Sequence, residues 1–215
     1  MLNYIDYPNR EEWLKGRIHS LGASEVASVL GMGFQNPIDV WKEKTGVKPH
    51  KEFKGDKRVD YGSQAEEHLR CLFALKNKGK YDVEYFPYRT YFHEKYGFLH
   101  ATLDGELTRI EDGEKGVWEC KTVFIMSRRE LEEWEGKIPN KYYIQVLDQM
   151  AIMNYKFAVI TAEIISSDGN SEIRNYTIER TEDVENDIRY VIKEAVDFWT
   201  KYVIPKKKPP IKMIL

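Results

Sequence analysis

Apolar residues recur at helical spacing in some stretches of the chain and in dense aromatic and β-branched runs in others, and the alternation divides it into elements. Two amphipathic helices are predicted early, over about 24–31 and 37–45. The first opens at Ser24 and stops at Gly31; the second follows Asn36-Pro37 and ends at Thr45-Gly46. The polar stretch from Lys48 to Asp60 reads as an exposed loop. From Gly62 to about Lys78, Ala65, Leu69, Leu72 and Phe73 return at helical spacing. Residues 81–93, 98–110 and 116–124 then read as strands, the last two joined as an antiparallel hairpin through Glu111-Asp112-Gly113-Glu114. Helices over about 127–135 and 140–154, a second hairpin (156–166 and 171–179) and a long helix over about 181–202 follow. The lysine- and proline-rich tail from residue 205 is expected to be loosely held. Helices around a central mixed sheet make an α/β (α+β) fold, in a single domain with its core at about 15–202.

Composition narrows the class. The 215 residues are 42% apolar and 32% charged, ordinary for a globular protein. No run approaches the roughly eighteen apolar residues of a membrane span, and the first residues lack the basic-then-apolar order of a secretory leader. Two cysteines, Cys71 and Cys120, cannot build a disulfide framework or a cysteine zinc site, so a reduced, cytoplasmic protein is expected. Lysine and arginine total 33 against 35 acids, a net charge of −2. That balance excludes nucleic-acid binding by bulk charge, and any such contact must come from a local patch.

The strongest chemical signal is Glu119-Cys120-Lys121 on a predicted strand, with Asp104 on the strand before it. Side chains two apart on a strand share a face, so Glu119 and Lys121 point one way and Cys120 the other, as a core residue. Two carboxylates converging on one point repel unless a cation lies between them, and oxygen ligands suit Mg²⁺ or Mn²⁺. A solvated ion pair is the plain alternative for Glu119 and Lys121 alone. Glu66 falls at the edge of its helix's buried face, where a metal, Lys121 or a structural salt bridge would compensate its charge. Gln145 and Gln149 lie together opposite the apolar face of their helix, a solvated face by default. Arg17 precedes Ser24 by seven residues, and a helix-opening serine beside an arginine suits a phosphate, although most such serines only cap. The five histidines have no ligand spacing and receive no role.

Six segments in order resemble the lambda exonuclease and YqaJ-type viral recombinases of the PD-(D/E)xK nuclease superfamily. They are Arg17 with Leu21-Gly22-Ala23-Ser24-Glu25-Val26-Ala27; Trp41-Lys42-Glu43-Lys44-Thr45-Gly46; Gly62-Ser63-Gln64-Ala65-Glu66; Ala101-Thr102-Leu103-Asp104-Gly105; Trp118-Glu119-Cys120-Lys121-Thr122; and Tyr142-Tyr143-Ile144-Gln145 running to Gln149-Met150. The resemblance implies a restriction-endonuclease-like core and a Mg²⁺-dependent 5′→3′ exonuclease acting on double-stranded DNA ends, with Mn²⁺ as a substitute ion. It implies that Asp104 and Glu119 hold metal, that Glu66 completes or supports the site, and that Lys121 assists the attacking water. Gln145 would lie beside the catalytic centre, and Arg17, Ser24 and Thr102 would contact the substrate, the first two at its 5′-phosphate. A ring-shaped homotrimer and a single-strand annealing partner are implied as well. Leu147 departs from the family, where many members carry another glutamine. The alternatives are an endonuclease or Cas4-like nuclease on the same core, the latter disfavoured by two cysteines where four hold its cluster, and a catalytically silent DNA-binding protein.

Overall fold

The computed structural model describes residues 3–48 and 57–210. In chain order the elements begin with β1 (Asn3–Asp6), α1 (Arg10–Arg17), β2 (Leu21–Gly22), α2 (Ala23–Val29), α3 (Pro37–Lys44) and α4 (Lys57–Lys76). The strands β3 (Tyr81–Glu84), β4 (Arg89–Phe92), β5 (Leu99–Ala101), β6 (Gly105–Arg109) and β7 (Lys115–Ile125) follow. Then come α5 (Arg128–Glu132), α6 (Asn140–Met153), β8 (Phe157–Ser166), β9 (Ser171–Glu179) and α7 (Glu182–Phe198), with a π-helical turn over Trp199–Val203.

The strands form two mixed sheets flanked by helices, where one central sheet was expected. The smaller has the order β1-β4-β5-β2, the larger β3-β6-β7-β8-β9. All pairings are antiparallel except β2 with β5 and β7 with β8. The runs 81–93 and 98–110, each read as one strand, are therefore divided between the sheets. Pro87, which cannot donate to a ladder, and Tyr88, at φ 58°, interrupt the first. Thr102-Leu103-Asp104 interrupts the second.

Local signals set several boundaries. Asn36 caps α3 by accepting the Asp39 N–H at 2.9 Å, Pro37 opens its first turn, and Gly46 at φ +76° lies just beyond its end. The helix expected to open at Ser24 starts one residue earlier, with Glu25 reaching back to the Gly22 N–H at 2.8 Å. Of the loop expected over 48–60, residues 57–60 belong to α4 and residues 49–56 lie outside the described residues. The helix expected over 127–135 shortens to α5, and the one over 181–202 is α7 with its π turn. Neither β1, exposed throughout, nor α1, with no buried residue, carries the apolar period that announces an element.

Helices cover both faces of β7. Val117 packs in a core with Leu147 and Met150 of α6 and Ile160 of β8. Trp118 and Cys120, pointing the other way, pack with Leu69 and Phe73 of α4 and with Phe157. No helix of the described residues is long and apolar enough to cross a membrane. A polar knot ties the two sheets: buried Glu106 of β6 accepts from the Tyr91 hydroxyl of β4 and from the Tyr155 hydroxyl, the latter at 2.5 Å. A buried carboxylate deprived of one such partner costs about 2 kcal/mol. Tyr155→Phe should therefore lower the urea midpoint without changing the slope of the transition, and an unmoved midpoint would show that the knot contributes nothing.

Candidate active site

Strand β6 begins at Gly105, opposite Trp118, whereas β7 stays paired with β8 as far as Ile125. From Glu119 onward one edge of β7 is thus free of β6, and a cleft of about 580 Å³ opens there. Asp104, the residue before β6, takes up the Cys120 N–H on this free edge with Oδ2 at 2.8 Å. That bond fixes the carboxyl at the cleft and explains how the hairpin brings Asp104 beside Glu119.

Glu119 is 2% exposed, and its carboxylate is held on both oxygens. Oε1 accepts from Lys121 Nζ at 2.5 Å and from Gln145 Nε2 at 2.6 Å; Oε2 accepts from Gln149 Nε2 at 2.6 Å. Gln149 also donates to the Thr102 carbonyl at 3.2 Å. The glutamine pair is therefore buried against β7 and does not form the solvated face that its position opposite the apolar stripe suggested. The reason is tertiary: α6 lies over the polar end of β7, so its polar stripe meets a carboxylate in place of water. Charged acceptors strengthen such bonds and orient the group that accepts them.

Glu66 of α4 faces the same cleft and pairs with Arg70 at 3.3 Å. Arg70 donates as well to the Asp104 carbonyl oxygen at 2.9 Å and stacks on Tyr85 at 3.7 Å from the ring centre. Of the partners considered for Glu66, the structure supplies a salt bridge, through a residue the sequence reading had passed over. Its signal was the i, i+4 spacing to Glu66.

Electrostatics bind these groups together. Burial, then repulsion from Glu119 and Glu66, pushes the Asp104 carboxyl well above its ordinary value, against the pull of Lys121. Glu66 is raised by burial and by Glu119, with Arg70 opposing. Burial draws the Lys121 ammonium down, but Glu119 and Asp104 outweigh it and hold it charged. Mutual repulsion among carboxylates facing one cleft is the condition that a hard dication relieves, and oxygen donors are what Mg²⁺ or Mn²⁺ takes. Among the described residues, no three His, Cys, Asp or Glu side chains close on one point tightly enough to ligate an ion by themselves. The donor set therefore fits a cation held chiefly by Asp104 and Glu119, with Glu66, tied to Arg70, adding charge from the cleft wall.

Across the cleft stands Arg17, stacked on Trp13 at 4.3 Å and donating from Nε to His100 Nε2 at 3.2 Å. It forms no ion pair with any described residue, and burial draws its guanidinium below the usual arginine value. A half-buried cation whose charge is not compensated has room for an anion. Ser24 is exposed in the first turn of α2. It caps nothing, since Gly22 holds the N-cap. Arg17, Ser24, Glu66, Thr102, Asp104, Glu119, Lys121 and Gln145, drawn from six separate stretches of chain, all line this one cleft. His100, which the sequence reading left without a role, stands behind Arg17.

The architecture is shared with solved exonucleases. The crystal structure of LHK-Exo, an alkaline exonuclease from Laribacter hongkongensis, matches with a TM-score of 0.65 at 18% identity, over 93% of this chain and 97% of that one. LHK-Exo in complex with dAMP gives a TM-score of 0.66 at 17% identity, over 92% and 96%. A phage-related exonuclease from Haemophilus somnus 129PT gives 0.56 at 13%, over 87% and 96%. The chain belongs to the YqaJ-like viral recombinase family, whose model matches residues 12–156. It is 27% identical over 205 residues to the uncharacterized protein YqaJ of Bacillus subtilis (strain 168), covering 94% of this chain but only 59% of that relative's length. The family model thus gives the family, and the solved structures give the fold.

Proposed function

We propose that the protein is a Mg²⁺-dependent 5′→3′ exonuclease that degrades one strand of linear double-stranded DNA from its ends, in recombination by single-strand annealing. The observation that carries this reading is the cleft itself: Asp104, Glu119 and Lys121 line one part of it, and a half-buried arginine with no ionic partner among the described residues lines another. Asp104 and Glu119 would hold the ion; when bound, it polarises a phosphoryl oxygen and acidifies a water. Lys121 orients the attacking water and offsets negative charge growing at phosphorus. Gln145 and Gln149 keep Glu119 aimed. Arg17, Ser24 and Thr102 contact the strand, with Arg17 and Ser24 at the terminal 5′-phosphate, so that the scissile bond falls beside Lys121. Mn²⁺ meets the same donors and is expected to substitute. Enclosure of DNA by a ring of subunits would suit a chain of net charge −2, because topological retention needs little bulk electrostatic affinity. The ring, and an annealing protein that receives the exposed strand, belong to the same proposal.

Digestion of linear duplexes with 5′-phosphate or 5′-hydroxyl ends, in Mg²⁺ or EDTA, tests the reading. Mg²⁺-dependent loss of one strand, faster from phosphorylated ends, is expected; cleavage of closed circles at the same rate would make the protein an endonuclease. Arg17→Ala should slow phosphorylated ends by about 10²-fold and leave the two end types nearly equal. A preference that survives the substitution would remove Arg17 from the phosphate site.

A further inference from the structure

Arg17 is fixed in an unusual way for a half-buried cation: its hydrogen-bond partner is an imidazole. His100 of β5 is 1% exposed. Its Nε2 lies 3.2 Å from Arg17 Nε and its Nδ1 lies 2.7 Å from Ser20 Oγ. A guanidinium nitrogen can only donate, so Nε2 carries the bare lone pair and the ring proton sits on Nδ1, directed at Ser20. The Ser20 hydroxyl in turn donates to the Arg17 carbonyl oxygen at 3.4 Å. The three residues close a ring of hydrogen bonds that sets both the backbone and the head group of Arg17.

The surroundings enforce the neutral imidazole. Burial, then the charges of Arg17 and Lys44, hold His100 well below the ordinary histidine value. Glu25, the nearby carboxylate, is occupied by Lys44 at 2.8 Å and by the Gly22 N–H at 2.8 Å. Phe92 flanks the ring at 6.2 Å between centres. Gly22 leaves it room, since a Cβ there would come within 3.0 Å of Nε2. A carboxylate in this position would neutralise Arg17. A neutral acceptor orients the guanidinium through Nε and leaves its charge uncompensated.

We propose that His100 is a positioning residue that, as a neutral acceptor, aims Arg17 at the terminal 5′-phosphate without cancelling its charge. The inference rests on the reading of Arg17 as the phosphate-binding residue. It also gives the site a pH sense. A protonated His100 would donate from Nε2 and repel Arg17 and Lys44, so the grip on phosphate is complete with a neutral ring and is lost on acidification through the ring's folded-state value.

The experiment compares KM and kcat on 5′-phosphorylated and 5′-hydroxyl duplex ends for the wild type, His100→Leu, His100→Gln and Arg17→Ala. His100→Leu should raise KM for phosphorylated ends about tenfold, with a smaller change in kcat, and bring the preference between end types close to one. His100→Gln, which returns an acceptor to Arg17, should restore most of that preference. In the wild type the preference should fall on acidification, beyond the fall shown by His100→Gln, whose profile carries only the titration of the phosphate itself. Equal losses in the leucine and glutamine variants would make ring packing the cause and overturn the inference. A preference intact in His100→Leu but lost in Arg17→Ala would overturn it and leave the phosphate pocket standing. A preference intact in Arg17→Ala would remove the pocket, and this inference with it. If His100→Leu fails to fold, His100→Gln decides, and a preference as low as that of Arg17→Ala overturns the inference.

Discussion

Glu119→Ala is expected to lower the rate of end digestion by at least about 10³-fold. The carboxylate removed is the one whose two oxygens organise Lys121, Gln145 and Gln149, so its loss deprives the cleft of charge and of order together. Stability should fall as well. Lys121, whose side chain is 19% exposed, is left without the carboxylate it touches, and a broken buried pair costs about 3 kcal/mol, equivalent to a melting shift of roughly 10 °C. The variant must therefore be assayed well below its own melting temperature, with circular dichroism verifying the fold. Near-wild-type cleavage by the folded variant would place the chemistry elsewhere. Lost cleavage with an unchanged melting temperature would show that Lys121 finds another partner, and would confine the role of Glu119 to the reaction.

The parts of this site that were legible in the sequence are those fixed by local geometry. Alternation along one strand put Glu119 and Lys121 on one face and Cys120 in the core, and the structure agrees on all three. The boundaries of α3 were legible because Asn36, Pro37 and Gly46 act on their own backbone. What depends on packing was not. Whether Gln145 and Gln149 meet water or a carboxylate is decided by the strand α6 lies over, and a helical wheel does not contain that strand. The division of residues 81–110 between two sheets has the same cause: a run of β-forming residues fixes strand character but not the partner. His100 was invisible because its importance lies in a bond to a residue 83 positions away. The order of short motifs supplied what periodicity could not, by singling out eight residues, from five of the six motifs, that line one cleft.

Asp148 is expected to make the protein less stable as the pH rises toward 8. It lies on α6 between Gln145 and Gln149, is 0% exposed, and neither carboxyl oxygen has a hydrogen-bond partner among the described residues. Burial pushes its carboxyl up to about 8. An unfolded aspartate titrates near ~3.9. Between these values the folded state keeps a proton that the unfolded state has released, so stability falls by about 1.4 kcal/mol per pH unit, on the order of 5 kcal/mol across the window. Below about pH 4 both states are protonated and the effect vanishes; above about 8 both are ionised and the full penalty stays. Asp148→Asn keeps the shape and removes the ionisation. Between pH 5 and 8 the wild type should therefore lose roughly 10 °C of melting temperature more than the variant does. Asp104 and Glu66, whose values are also raised, titrate in both proteins and cancel in the comparison. Parallel melting curves would mean that the carboxylate is solvated or paired. Divergent ones would show that the helix carrying the two glutamines of Glu119 is held in place by a neutral acid, so that alkaline pH strains the same element that orders the catalytic carboxylate.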